Sequence, residues 1–460
     1  MDIQNLIPST AIKILSTLNE AGYESYLVGG AVRDLILDRK PGDYDITTNA
    51  RPDEIEEVFA DYATLEIGKA HGTIGVVMDH QLYEVTTYRI DGEYSDSRHP
   101  DDVRFTTSLM EDLKRRDFTI NAIAMDVHGN ITGAEGYSDD LERGVIRAVG
   151  NPAKRFQEDA LRIMRGIRFA SQLDFEIEPG SAAAIHENRE LLRNIAPERI
   201  QQELNKLLCG TSPMPILRDY RDVVAVIIPE LSGSFDFDQQ NPFHCYDIYE
   251  HSIHAVSHVP PTVVLRLSAL LHDVGKPSCF LLKENWGHFY GHEQASAEMA
   301  QTILKRLRYD RKTIQQVTEL IDCHGYVFNQ TEKYARRRLN QLGEEQLKNL
   351  IALERADVMS QAEHVREERV TNIDAFGALV DRVIAEEGVM KLRDMNLKGA
   401  DLIELGGPEG PEVGEILRFL FNQVLDGTFP NEKEILRKNA MEYLMQKEYS
   451  SKKATEEVGI

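Results

Sequence analysis

The chain is short of cysteine, of aromatic residues and of positive charge, and it has no long apolar run. Its four cysteines, Cys209, Cys245, Cys279 and Cys323, lie far apart with no CxxC pair. That spacing argues against a zinc ribbon or a disulfide framework. No apolar stretch reaches the roughly 18 residues of a transmembrane helix, so no membrane partner is expected. The opening segment MDIQNLIPST has neither a basic n-region nor an apolar core. The expectation is therefore a soluble, cytoplasmic protein. Aromatics make up 7% and Trp286 is the single tryptophan. Lysine and arginine total 52 against 76 acidic residues, a net charge of -24. Taken alone, that balance argues against a polyanionic partner.

What is present points elsewhere. The 460 residues suggest about three domains. The 42% hydrophobic content is enough for ordinary cores, and the second half, rich in Leu, Ala, Glu, Arg and Ile, is expected to be mostly helical. The basic residues are clustered: Lys154, Arg155, Arg162, Arg165 and Arg168 form one group, 305–312 and 333–338 two others. Local stripes of this kind can hold phosphates on an acidic protein. The alternative is a set of solvated helix faces laced with salt bridges.

Residues 8–22 predict an amphipathic helix with Ile12, Ile14, Leu15 and Leu18 on one side. SYLVGG predicts a strand, AVRDLIL a short helix, and DYDITTN a second strand. TIGVVMD and QLYEVTTYRI predict a hairpin turned at Asp79 and His80. Residues 91–108 are polar and aperiodic, as in a mobile loop. Helical patterns prevail from about Leu109, and Asn151-Pro152 ends the mixed region. Proline-containing loops near 211–215 and 228–243 mark the next boundary. The tail from Tyr449 is expected to fray.

The first constellation is a carboxylate pair behind a glycine turn. On a strand, the period of two puts Asp43 and Asp45 on one face. Such a pair can hold two divalent metals, which can activate an attacking 3′-hydroxyl and stabilise a leaving pyrophosphate. Gly29 and Gly30 let backbone approach a triphosphate, and amides at a helix start favour anions. Arg33 is one turn into that helix, placed for phosphate oxygens. A DxD alone is more often a solvated turn; the ordered set of strand, GG, helix and DxD is more specific.

The string LVGGAVRDLILDRKPGDYDITT resembles the nucleotidyltransferase superfamily, in the branch of bacterial CCA-adding enzymes and poly(A) polymerases. The resemblance implies a third carboxylate on a neighbouring strand, and Glu84 in YEVTTYR is the candidate. RRDFTINAIAMD looks like the family's next motif. It implies that Arg116 reaches the nucleotide, and that Asp117 and Asn121 fix the helix and touch the ribose; Asn121 could equally be a buried cap.

In RFQEDALRIMRGIRFA, helical spacing sets Asp159 and Arg162 on one face. Asp accepts hydrogen bonds and Arg only donates them. Cytosine and adenine each offer an exocyclic amine beside a ring acceptor; uracil and guanine offer the reverse. The pair suits C and A, and a mismatch would strand buried polar groups. The plain alternative is an i,i+3 salt bridge. The EDxxR string resembles the template motif of class II CCA-adding enzymes, which implies that Arg165 and Arg168 extend the contact toward phosphates. PERIQQELNKLL resembles the helix that follows. The resemblance covers residues 20–210 almost without a gap.

His251, His272-Asp273 and Asp357 have the spacing of an HD-domain metal site, with LLHDVGKP at the core of the match. Imidazole and carboxylate together suit several divalent metals, so spacing does not choose one. His292 and His324 are further candidates for a second metal or for substrate phosphate; His254 and His258 are read as structural. Some CCA-adding enzymes with this arrangement carry phosphohydrolase activity toward phosphate esters or 2′,3′-cyclic ends. RRRLNQLG, LIALERADVM and GADLIELGGPEGPEVGEIL resemble tRNA-binding segments of such enzymes.

The expected fold class is α+β. An N-terminal nucleotidyltransferase α/β head (1–150) precedes an all-helical neck with the base template (151–215), an HD domain (216–365) and a tRNA-binding C-terminal region (366–460). The resemblance implies Mg2+ in the head, a divalent metal in the HD site, and tRNA, CTP and ATP as partners. Rival readings are an enzyme adding only A or only CC, a poly(A) polymerase, and an HD phosphohydrolase whose head only binds RNA. The full-length 91–108 loop weighs against CC-only addition, and the intact DxD, RRD and EDxxR strings weigh against the phosphohydrolase-only reading.

Overall fold

The computed structural model describes residues 7–92, 103–387, 391–407 and 409–457. The chain divides at Phe235. One unit runs to that residue and takes in Pro261–Arg266 and Gln301–Ile314; the other holds Asp236–Pro260, Leu267–Ala300 and the chain from Gln315 onward.

In the first unit, apolar residues at helical spacing bury Ile14, Leu15 and Leu18 of α1 (Ser9–Glu20). Then follow β1 (Ser25–Val28), α2 (Gly30–Ile36), β2 (Ile46–Thr48), α3 (Pro52–Val58), β3 (Ala63–Gly68), β4 (Thr73–Met78) and β5 (Gln81–Thr87). The turn from β4 to β5 has both Asp79 and His80 at positive φ, the geometry of a tight hairpin. A separate antiparallel pair, β6 (Arg89–Asp91) and β7 (Val103–Phe105), comes next. It replaces the structureless ends expected for the 91–108 loop; 93–102 lie outside the described residues. After α4 (Leu109–Lys114), β8 (Ile123–Met125) and β9 (Ile131–Gly133) complete a seven-stranded sheet of order β3-β4-β5-β2-β1-β8-β9. Only β2 and β5 run parallel within it. The helices α5 (Tyr137–Arg143), α6 (Pro152–Glu158) and α7 (Leu161–Leu173) lead into the helical remainder of this unit. Asn151 caps α6 by accepting from the Lys154 amide.

Several expectations are corrected. Strand β2 begins at Ile46, so Asp43 and Asp45 sit in the segment entering it rather than on it. Residues 213–219 are helix rather than loop. The neck and the histidine region are not all-helical. Val145–Ile146 pairs with Glu176–Ile177, and Leu281–Lys283 pairs with Trp286–His288 as a hairpin. Its turn residues, Glu284 and Asn285, both have positive φ, which suits a two-residue turn. Backbone helix continues through the 449 region to Glu457. In the second unit, Leu402, Leu420 and Leu436 anchor a C-terminal core. No helix among the described residues is long and apolar enough to cross a membrane.

Candidate active site and candidate metal centre

The pairing of three strands assembles the head site. Val28 donates to the Asp45 carbonyl at 3.0 Å, so the DxD segment crosses next to the Gly29-Gly30 turn. Ile46 pairs with Val85 in parallel register, and one residue further back Asp45 stands opposite Glu84. Glu84 lies on the exposed face of β5, between buried Tyr83 and Val85. The Asp45 carboxyl is pushed up to about 6, first by desolvation, then by Asp43 and Glu84, with Arg116 pulling the other way. The side chain is exposed, and the two neighbouring carboxylates disfavour its charged form.

Glycine is required at the turn. Gly29 has φ 73°, and a Cβ there would lie 3.4 Å from Arg116 Nη1. Arg116 pairs with buried Asp112 at 3.1 Å, while its buried Nε–H has no partner. Arg33 is buried; it donates to Asn121 Oδ1 at 2.7 Å and to Asp34 at 2.7 and 2.8 Å. It is thus committed within the protein rather than held out for phosphate. Asn121 Nδ2 donates to Asp117 at 3.4 Å, and Asp117 also accepts from the Phe118 amide at 2.8 Å. Burial opposes ionisation of Asp117, but the charge and hydrogen bond of Arg165 hold it down to about 2.

The EDxxR segment is not one helix. The chain breaks at Asp159, the residue that ends α6, whose Oδ1 accepts from the Leu161 amide at 3.0 Å two residues on. A short acceptor that bonds the amide two residues on favours such a turn over a helix interior. Asp159 and Arg162 therefore share neither a continuous helix face nor an i,i+3 salt bridge. Arg162 pairs with Glu158 at 2.9 Å and donates to the Arg155 and Arg115 carbonyls. Asp159 Oδ2 instead faces Arg199 at 3.6 Å. The basic stripe is neutralised too: Arg155 pairs with Glu158, Arg165 with Asp117 and Arg168 with Glu203. Arg33, Arg165 and Arg168 crowd the Phe169 ring at 5.1, 5.3 and 3.5 Å.

The profile of the poly(A) polymerase head domain matches residues 25–147. That of the RNA- and SrmB-binding site of polymerase A matches 174–233, and that of tRNA nucleotidyltransferase domain 2 matches 283–440. The CCA-adding enzyme of Bacillus velezensis is 34% identical over 93% of this chain and 96% of its own. That of Levilactobacillus brevis is 37% identical over 92% and 95%. The chain belongs to the CCA-adding enzyme family. The crystal structure of the Bacillus stearothermophilus CCA-adding enzyme in complex with CTP matches with a TM-score of 0.74 at 30% identity, covering 96% of this chain and 98% of that one. A Thermotoga maritima CCA-adding enzyme complexed with tRNA shares the fold, at TM-score 0.60 and 19% identity over 96% and 99%. As a member of this family the protein is a nucleotidyltransferase.

A second centre, in the other unit, is built from three buried histidines, His251, His272 and His324, and the half-buried His292. Every one of four imidazoles has Nδ1 against a backbone carbonyl: His251 on Ser360 at 3.2 Å, His272 on Ala269 at 2.8 Å, His292 on Phe289 at 2.7 Å, and His324 on Ile321. A carbonyl only accepts, so Nδ1 carries the proton and the Nε2 lone pairs face inward. The Nε2 atoms of His251 and His272 approach to 3.3 Å, an arrangement that calls for a proton or cation between them. Two sets bring ligand atoms within 4.8 Å: His251, His272 and Asp357, and Asp273, His292 and His324. Asp273 is buried, and His324 Nε2 is buried without a hydrogen-bond partner. Asp273 lies between the sets, with Oδ2 3.2 Å from His272 and Oδ1 3.4 Å from His292. The donor set fits one or two divalent ions. His254 and His258 belong to neither set.

Three residues of this centre were not singled out by sequence, although Lys276 and Glu354 stand inside the strings LLHDVGKP and LIALERADVM. Lys276 of LLHDVGKP is buried, with Nζ 2.6 Å from Asp273 and 3.1 Å from Gln239 Oε1. His244 of NPFHCYD sets its ring edge-on to His251 at 5.2 Å. Burial, then Lys276 and His251, push its pKa down to about 3. Glu354, three residues before Asp357, accepts from the Gly325 amide at 2.6 Å and so pins the loop after His324. Its string, LIALERADVM, is read as a tRNA-binding segment and not for this residue.

Proposed function

We propose that the protein adds C and A to the 3′ end of tRNA, using CTP and ATP and no nucleic-acid template. The carrying observation is the register that sets Asp45 opposite Glu84, beside Asp43, the Gly29-Gly30 turn and Arg116. Family membership and the relative solved with CTP support the same reading. The three carboxylates suit a hard divalent cation such as Mg2+. Ions bound there supply Lewis-acid stabilisation of the attacking and leaving oxygens. The tRNA 3′ oxygen bonds to the α-phosphorus, the bond to the β-phosphate oxygen breaks, and pyrophosphate leaves. Arg116 donates to the triphosphate through its open Nε–H. The division into head (1–150), base-reading neck (151–215), HD domain (216–365) and tRNA-binding tail (366–460) belongs to this reading, as does action in the cytoplasm.

Base choice is assigned to Asp159 and Arg162, which flank the break between α6 and α7 and are paired with other residues here, Asp159 facing Arg199 and Arg162 bound to Glu158. Asp159 accepts from the exocyclic amine and Arg162 donates to the ring acceptor, which requires Arg162 to exchange contacts with Glu158. Given tRNA ending at the discriminator base, at C or at CC, the protein should add the missing residues in order. Incorporation of A alone would identify an A-adding enzyme instead. Asp159→Ala should lower the CTP/UTP and ATP/GTP ratios of kcat/KM. A stranded buried hydrogen bond, about 1–3 kcal/mol, corresponds to roughly ten- to a hundredfold. Equal loss of rate for all four nucleotides would remove base choice from Asp159.

Cation binding in the head should be coupled to protons, because Asp45 must ionise to ligate. With its pKa raised to about 6, affinity should fall by up to about tenfold per pH unit below that value. Calorimetric Mg2+ titrations at pH 5 and 7.5, in buffers of different ionisation heat, measure the proton released. A pH-independent affinity would show that Asp45 is ionised throughout and that its crowding is without effect.

A second reading is favoured by the four carbonyl-fixed histidines: the second unit holds an HD-type phosphohydrolase centre. An ion held there supplies an activated water. The residues fix the imidazole tautomers, bridge the two ligand sets through Asp273, and place the Lys276 ammonium beside the centre.

A further inference from the structure

The hairpin that precedes His292 carries an exposed aromatic and cationic face that neither reading uses. Its cross-strand pairs are Lys283 with Trp286 and Leu281 with His288. Direct partners share a face, so a cation stands beside the indole and an imidazole beside a leucine. Trp286 is 45% exposed and Tyr290 67%. The Tyr290 ring stacks on His288 with centroids 5.4 Å apart and planes 5° apart. Trp286 meets Phe243 edge-on at 6.0 Å, and the Arg369 guanidinium lies 5.3 Å over that same Phe243.

This face is fixed to the histidine centre at both ends. Tyr290 is two residues from His292, and Phe243 adjoins His244, whose ring lies against His251. Gly287 secures the hairpin: its amide donates to the Gln240 carbonyl at 2.8 Å, and a Cβ would lie 2.1 Å from the Gln239 carbonyl oxygen. Gln239 in turn accepts from Lys276. Large rings left exposed cost hydration free energy, and a rigid mount on a phosphate-type centre gives them a use. Aromatic rings interleaved with cations are how single-stranded nucleic acid is held, bases stacking on rings and phosphates meeting cations.

We propose that this face binds the unpaired 3′-terminal nucleotides of an RNA ending in a phosphate, and delivers that phosphate to the histidine centre. The proposal rests on the phosphohydrolase reading. Water oxygen bonds to phosphorus, the ester P–O bond breaks, the 3′ oxygen takes a proton, and inorganic phosphate leaves. Two aromatic stations with separate cations fit a strand better than a free nucleotide.

Trp286 is the only tryptophan, so its fluorescence reads the face directly. The full chain, metal-free and metal-loaded, is titrated with a short 3′-phosphorylated oligoribonucleotide, a 3′-nucleoside monophosphate and ribose 5-phosphate. Quenching by the oligoribonucleotide, at least tenfold tighter than by the mononucleotide and absent with the sugar phosphate, is the expected result. Tyr290→Ala should weaken it at least fivefold. The same substitution should lower the kcat/KM ratio of the oligoribonucleotide over glycerol 2-phosphate. No quenching by RNA, or equal affinity for the mononucleotide, overturns the proposal. So does a blue shift with protein concentration alone, which would assign the face to a second copy of the chain. Quenching without hydrolysis of either ester overturns the phosphohydrolase reading alone.

Discussion

Alanine at Asp43 or at Asp45 is expected to lower nucleotide addition by about a thousandfold or more, roughly 4 kcal/mol in barrier. Binding of tRNA should stay nearly intact. Both carboxylates stand in the segment that enters β2, and neither carries a core: Asp43 and Asp45 are exposed. Removing one leaves the fold its Ile46, Thr47 and Thr48 ladder, but takes away a charge from a group of three. The crowding that pushes Asp45 up is the reason for the size of the effect. Above about pH 6, carboxylates gathered against their own repulsion have that repulsion relieved by a counter-cation, so each contributes to the same bound charge. The check is single-turnover incorporation of labelled CTP and ATP together with tRNA affinity. A variant retaining more than about a tenth of wild-type addition, a loss under roughly 1.4 kcal/mol, would remove that residue from the centre.

How much of this was legible in the sequence depended on whether a partner was near in the chain. The hairpin turn at Asp79-His80 and the helix of Ser9–Glu20 follow from local pattern, and the structure has both. The Asp43, Asp45 and Glu84 grouping needed the family resemblance, because only the parallel register of β2 with β5 joins it. Local reasoning did less well with arginine. Arg165 finds Asp117 48 residues away and Arg168 finds Glu203 35 away, so a stripe that looks free in sequence is internally paired. Helical spacing also misled at Asp159, where a side chain that turns back onto the Leu161 amide broke the period on which the face was predicted. Arg199 became visible only through that break: its buried Nη1 has no partner and its Nη2 faces Asp159.

Replacing His272 and Asp273 together by alanine should abolish metal-dependent ester hydrolysis, by a hundredfold or more, while CTP and ATP incorporation stays within about twofold. The expectation follows from where these residues stand. His272 belongs to one ligand set and Asp273 to the other, so the double substitution takes a ligand from each. Outer contacts alone change metal affinity by about 10–100-fold, and loss of two direct ligands should exceed that. The change also strands charge. Burial opposes ionisation of Asp273, yet His272 and Lys276 hold it well below the usual carboxylate range. Without Asp273, the buried Lys276 ammonium loses a contact at 2.6 Å, so some destabilisation should accompany the loss of activity. His272→Gln with Asp273→Asn keeps volume and separates the two effects: hydrolysis should still vanish with less loss of Tm. Metal content of the purified variants supplies a readout apart from turnover, and should fall with the ligands. The proposed nucleotidyl site lies in the other compact unit and shares no residue with this centre. A collapse of nucleotide addition in a variant that remains folded and tRNA-competent would show that the two centres work as one, and would overturn their assignment to separate chemistry.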